Sequence, residues 1–129
     1  MRISSIVLIS GLAFLGAFAG SAFAQPVISI EGSCPGAVRF RWEGAAPNEW
    51  AGLLYSDERG TITLSQPCGG TVIGLGPRGL RLVSVFRTSA NGAGVANGQA
   101  DSRSCGGFLQ LVVQDGYPCT TSNVVQVPE

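Results

Sequence analysis

The sequence predicts an all-β domain, an antiparallel β-sandwich of about seven to nine short strands. Apolar residues recur at every second position over short runs. Clusters of glycine, proline and asparagine part those runs, with 19 Gly and 7 Pro in 129 residues. No stretch carries the helical period. The clearest run is Ala37-Val38-Arg39-Phe40-Arg41-Trp42-Glu43. Val38, Phe40 and Trp42 point one way and Arg39, Arg41 and Glu43 the other, the pattern of a strand with one dry and one wet face.

The first 24 residues read as a secretory signal. Arg2 supplies a positive start, Ile6 to Ala19 is apolar but interrupted by Ser10, Gly11 and Gly16, and Ala22 and Ala24 offer the small residues that a signal peptidase reads. Cleavage is expected after Ala24. A membrane anchor is the competing reading, but the run is short for a span and no charged stop-transfer flank follows. Residues 25–129 then form one domain, with no span left after cleavage and a secreted or periplasmic location.

Composition closes several routes to function. Residues 25–129 hold seven arginines and eight acids, with no lysine and no histidine. Such a balance provides no basic stripe for a phosphate backbone, so no nucleic-acid partner is expected. Without histidine, no Ser-His-Asp or Cys-His device can be assembled. Histidine-based zinc or copper sites fail for the same reason.

All four cysteines, Cys34, Cys68, Cys105 and Cys119, follow the signal. An even number in an exported chain reads as two disulfides, and the long spacings without a CxxC pair argue against a metal. Three pairings are possible. Nearness in the chain favours Cys34–Cys68 with Cys105–Cys119, although a bridge across the Phe108 strand requires its flanking loop to fold back. Cys34–Cys119 with Cys68–Cys105 is the competing set.

Taken in order, Val27–Glu31 is a first strand, turned at Gly32–Gly36. The Ala37–Glu43 strand and Trp50–Ser56 flank a six-residue loop and read as an antiparallel pair. Asp57–Gly60 is a polar turn before Thr61–Leu64, and Gln66–Gly70 breaks the chain before Thr71–Leu75. Leu80–Thr88 is the longest run, with Leu82 and Phe86 assigned to one face. Asn91-Gly92 is the strongest hairpin signal, because both residues tolerate positive φ. Ala93–Ala100 is then a weak return strand at an edge, with Asn97-Gly98 as a bulge. Phe108–Gln114 points Leu109, Leu111 and Val113 inward, and Ser122–Val127 closes the chain.

Strands of this kind, each with one wet face, need two sheets packed together, which gives an immunoglobulin-like or fibronectin-III-like sandwich. Gly32-Ser33-Cys34-Pro35-Gly36, the Gly44-Ala45-Ala46-Pro47-Asn48 loop before Leu53-Leu54-Tyr55-Ser56, Cys68-Gly69-Gly70-Thr71 and Asn91-Gly92-Ala93-Gly94 occur in order. Ser104-Cys105-Gly106, Gln114 and Cys119-Thr120-Thr121-Ser122-Asn123-Val124-Val125 follow. This series resembles a small cysteine-containing β-sandwich module of exported bacterial proteins, often found at the carboxyl end of a larger chain. The resemblance implies a fold and an extracytoplasmic location, and no activity.

Carboxylates give little. Asp57 and Glu58 are adjacent on a turn, where side chains diverge into water rather than flank a glycosidic bond. Asp101 and Asp115 are too few to make a calcium site with carbonyl oxygens, and no cofactor is expected. Gly92–Gly98 precedes no helix and is not a phosphate loop. Aromatics remain: Phe40 and Trp42 belong to the core. Trp50, beside Pro47-Asn48-Glu49, reads more plainly as packing against core or loop, but an exposed tryptophan there would stack on a sugar or anchor a partner. The expected function is a non-enzymatic secreted structural or interaction module that binds a protein or the cell surface. The alternative is a carbohydrate-binding domain for a surface glycan, using Trp50 with Tyr55 or Tyr117.

Overall fold

A computed structural model describes residues 25–129; the predicted signal, its cleavage point included, lies outside the described residues. The chain is built from antiparallel strands, with no α-helix among the described residues. They are β1 (Val27–Gly32), β2 (Gly36–Glu43), β3 (Trp50–Ser56), β4 (Arg59–Thr63), β5 (Val72–Leu75), β6 (Arg81–Arg87), β7 (Gly94–Ala100), β8 (Phe108–Val113), β9 (Thr120–Thr121) and β10 (Val125–Gln126). One sheet runs β1-β2-β7, a second runs β10-β8-β3-β6 with β9 beside β8, and β4 pairs with β5.

The alternation read in β2 is real: Phe40 is buried and Trp42 half-buried, while Arg39, Arg41 and Glu43 are exposed. Phe40 joins Ile28 of β1, and both meet Ala51, Leu53, Tyr55, Leu109, Leu111 and Val113 of the second sheet in a sandwich-like core. Leu111 and Val113 are completely buried. Burial of a side chain of this size contributes about 1.5–3 kcal/mol. The opposite face of β8 is dry as well, because the β4–β5 hairpin covers it and packs Ile73 and Leu75 against Val112. Between them Gln110 is satisfied: its Oε1 accepts from Gly74 N at 2.8 Å and its Nε2 donates to the Ser122 carbonyl at 2.8 Å.

Several local expectations give way to topology. β2 and β3 do not pair; β2 lies between β1 and β7, and β3 between β6 and β8. The Gly44–Glu49 loop therefore crosses from one sheet to the other. The Asn91-Gly92 turn is likewise a crossing and not a hairpin. Gly92 has φ 72° and would collide with the Ala45 carbonyl if it carried a Cβ, while Asn91 accepts through Oδ1 from Ser89 Oγ and Ala93 N. Ala45 N donates to Gly92 O at 3.1 Å, and buried Thr88 donates to the Ala46 carbonyl at 2.6 Å and accepts from Glu49 N at 2.9 Å. The two crossings thus pin each other. β7 is an edge strand as expected, but its partner is β2, and Asn97-Gly98 keeps an unbroken register.

β6 contains an irregularity that the sequence did not announce. Leu53 faces Ser84 and Leu54 faces Leu82, so Val83 is the extra residue of a bulge. The bulge turns Phe86 toward Trp42 and the core, with ring centroids 4.7 Å apart, and leaves Leu82 on the outer face beside Leu54. Leu82 and Phe86 are therefore on opposite faces.

The disulfides are Cys34–Cys105 and Cys68–Cys119, with Cα atoms 5.5 and 5.3 Å apart. This is neither the set favoured from chain proximity, Cys34–Cys68 with Cys105–Cys119, nor its competitor, Cys34–Cys119 with Cys68–Cys105. Gly36 pairs with Ala100, so the β1–β2 turn and the segment leaving β7 lie at the same end of the first sheet. There Asp101 caps a short 3-10 turn, Ser102–Ser104, and delivers Cys105 to Cys34. Thr71 Oγ1 accepts from Cys119 N at 2.8 Å, which holds the β4–β5 connection against the β8–β9 turn. The first and last parts of the described region also meet: Asn123 accepts from Ile28 N at 2.8 Å and donates to Ile28 O at 3.1 Å, across 95 residues.

Candidate functional site

β3 supplies one wall of an apolar groove. Odd positions Ala51, Leu53 and Tyr55 enter the core, so Trp50, Gly52 and Leu54 face outward. Gly52 has no side chain to fill the surface, and Leu82 lies 3.0 Å from where its Cβ would stand. Val112, Leu82 and Val85 complete the floor, and the Leu64–Cys68 segment rises at one side. The groove encloses about 350 Å³.

The groove is open along β6. Trp50 is 48 % exposed, Leu82 56 % and Val85 56 %. The expectation of a packed Trp50 is thus corrected: the indole stands half-exposed on the outer face of the sheet. Arg87 stands opposite Trp50 in the ladder with its guanidinium 5.2 Å from the indole centroid, and one of its N–H groups donates to Asn48 O at 2.6 Å. One side of the Trp50 ring therefore already carries a cation.

The three aromatics proposed as ligand contacts are not brought onto one platform. Tyr55 is 3 % exposed in the core. Its hydroxyl donates to Asp57 at 2.9 Å, and the Arg81 guanidinium lies 4.3 Å from its ring centroid. Burial, and then the bond to the Asp57 carboxylate, push the Tyr55 phenol above its ordinary pKa. Tyr117 is 68 % exposed on the β8–β9 turn, and its oxygen accepts from Gln66 Nε2 at 2.7 Å. Gln66 also lines the groove, so Tyr117 reaches the rim through one side chain.

The turn and loop acids have partners within the fold. Asp57 holds Tyr55, Glu58 Oε2 accepts from Arg78 N at 3.1 Å, Asp101 caps the 3-10 turn and Asp115 accepts from Thr120 Oγ1 at 2.7 Å. Among the described residues no three Cys, Asp or Glu cluster as metal ligands would. A second, wider depression of about 640 Å³ on the first sheet is bordered by Glu31, Arg39, Asn97 and Gln99. It is open and shallow, with Ala37 and Val38 among its lining and Arg39 Nε donating to Asn97 at 3.4 Å.

Leu82, Val85 and Gln66 were not among the expected site residues. A run that is apolar on both alternations, as Leu80–Thr88 is, reads as doubly buried; here it is an edge. The two bracketing arginines were the available signal, since charged residues guard open strands. No known protein family, curated protein or solved structure matches the chain.

Proposed function

We propose that this is a non-enzymatic, secreted or periplasmic interaction module with an immunoglobulin-like or fibronectin-III-like sandwich, and that the groove of the second sheet docks an extracellular protein. The observation that carries the reading is the contiguous exposed band of Trp50, Leu82 and Val85, because monomeric surfaces seldom leave such a patch without a partner. Antiparallel sheets of three and five strands, facing each other across one core, support the sandwich class. Two disulfides favour an oxidising compartment, and no helix among the described residues is long and apolar enough to cross a membrane. The likeness to exported bacterial modules agrees with both. A glycan partner is less well served, since Tyr55 is internal and Arg87 lies over Trp50.

The test compares the secreted protein with a Leu82→Asp, Val85→Asp variant as baits in its native secretome. A partner held by the first and lost by the second supports the reading, and equal retention by both overturns it. A glycan-dependent change in Trp50 fluorescence, absent from Trp50→Ala, assigns the groove to sugar instead.

A further inference from the structure

β6 is an unpaired edge along its whole outer side. Its ladder partner is β3, and no other backbone hydrogen bond is made by Leu82–Arg87 among the described residues. The Thr88 amide donates to Glu49 O at 2.8 Å, toward β3. Backbone groups alternate in direction along an antiparallel ladder. Phe86 and Ser84 therefore bond inward with β3, while the N–H and C=O of Val85 and Arg87 point to the open side. Native sheets ordinarily block such an edge; this one is seven residues long and carries exposed Leu82, Val83 and Val85.

The charges on this edge select what can pair with it. The ion pairs among the described residues are Arg41–Glu31 and Arg78–Glu58, so neither Arg81 nor Arg87 has a carboxylate within 4.0 Å. Both are exposed. A second copy of β6 would bring to this edge two more arginines and no carboxylate, and like charges across a ladder are destabilising. A strand with carboxylates at those points meets the opposite condition.

The bulge fixes their spacing. β3 faces Arg87 with Trp50 and Arg81 with Tyr55, five residues apart, so the two guanidiniums lie on opposite faces of the sheet. We propose that β6 receives an extended segment of a partner protein as an added strand, bearing two carboxylates five residues apart with apolar or β-branched residues between them. This rests on the interaction-module reading and gives it a mode, in which main-chain bonds supply affinity and the side chains beside Leu82 and Val85 supply specificity.

Three synthetic peptides of alternating valine and threonine test it. One carries glutamates at the second and seventh positions, one lysines at those positions, and one glutamates at the second and sixth. Binding to the secreted protein is read by anisotropy of a fluorescein label. The first peptide binds at least about tenfold more tightly than the second, and more tightly than the third. Arg81→Glu with Arg87→Glu, both surface changes, reverses the preference between glutamate and lysine. Val85→Pro removes an N–H on the open side, where edge prolines are tolerated, and abolishes binding. Equal affinities, binding undiminished by Val85→Pro, or no binding of the first peptide at about 1 mM overturns the proposal. If the peptides fail while a secretome partner is still lost on Leu82→Asp, Val85→Asp, only the strand-addition mode falls. If that partner is retained as well, the module reading falls with it.

Discussion

The indole of Trp42 occupies the space that a side chain at position 94 would need, and Gly94 is its directly paired neighbour on β7. The ring closes the end of the core between Phe40 and Phe86, at centroid distances of 5.8 and 4.7 Å. Its buried Nε1 has no hydrogen-bond partner, so packing against the glycine and the two phenylalanines is what holds it. An aromatic lying over an edge-strand glycine is a known means of fixing register.

Gly94→Ala is therefore expected to destabilise the domain by about 1–3 kcal/mol, the usual range for overpacking. Gly98→Ala on the same strand meets nothing within 4 Å, and is expected to be neutral or to add about 0.4–1 kcal/mol by restricting the unfolded chain. Urea unfolding of the two variants measures the contrast; equal effects would mean that Trp42 has another resting place.

Non-reducing proteolysis should release peptides joining Cys34 to Cys105 and Cys68 to Cys119. The loops they close have sequence separations of 71 and 51, so on the chain-entropy account each contributes about 4 kcal/mol. Replacing either pair by serine is expected to lower the urea midpoint strongly. A Cys34–Cys68 peptide from folded protein would contradict the strand order.

Thr88→Val keeps shape but removes the hydroxyl that donates to Ala46 O and frees the Glu49 amide it satisfied. Leaving such buried groups unpaired costs about 1–3 kcal/mol each. Because this hydroxyl joins the two sheet crossings, amide exchange should accelerate first in the loops around residues 45–49 and 89–92.

Tyr55 gives a pH dependence of definite sign. Its phenol is raised in the folded state, so the neutral form persists in the native protein after the unfolded chain has begun to ionise. The stability involved is present in full below the ordinary phenol pKa of 10.0 and is lost as pH rises through the native-state value. Alkaline unfolding should thus be steeper in the native protein than in Tyr55→Phe, and the late-titrating phenolate absorbance should vanish in that variant.

The strands themselves were legible because their cause is local. Alternation in Val38-Arg39-Phe40-Arg41-Trp42 and the turn glycines placed β2, β3, β6 and β8 to within a residue or two. Pairing was not legible, since Asn91-Gly92 carries a hairpin's chemistry yet serves a crossing whose geometry is set by Thr88 and Ala45. The cysteine bridges failed for the same reason, as chain neighbours are not sheet neighbours in an order of β1-β2-β7 and β10-β8-β3-β6. In the groove, Trp50 was visible as a candidate, whereas Leu82 and Val85 were hidden by a bulge at Val83 that no residue type marks.

The two hydrogen bonds between Asn123 and Ile28 also order events in time. The side-chain amide of Asn123 serves the backbone of β1, which sits 95 positions earlier. The polar tie of the first strand to the second sheet thus forms only after nearly the last residues of the chain have arrived, whereas its apolar contact through Ile28 needs only β3. Closing so long a loop comes before the contacts that reward it, and domains dominated by such distant pairings fold in about milliseconds to seconds. During that interval β1 holds only its ladder with β2 and its apolar packing, so a chain truncated before Asn123 would keep the β1–β2 pair but leave the N–H and C=O of Ile28 without the Asn123 amide.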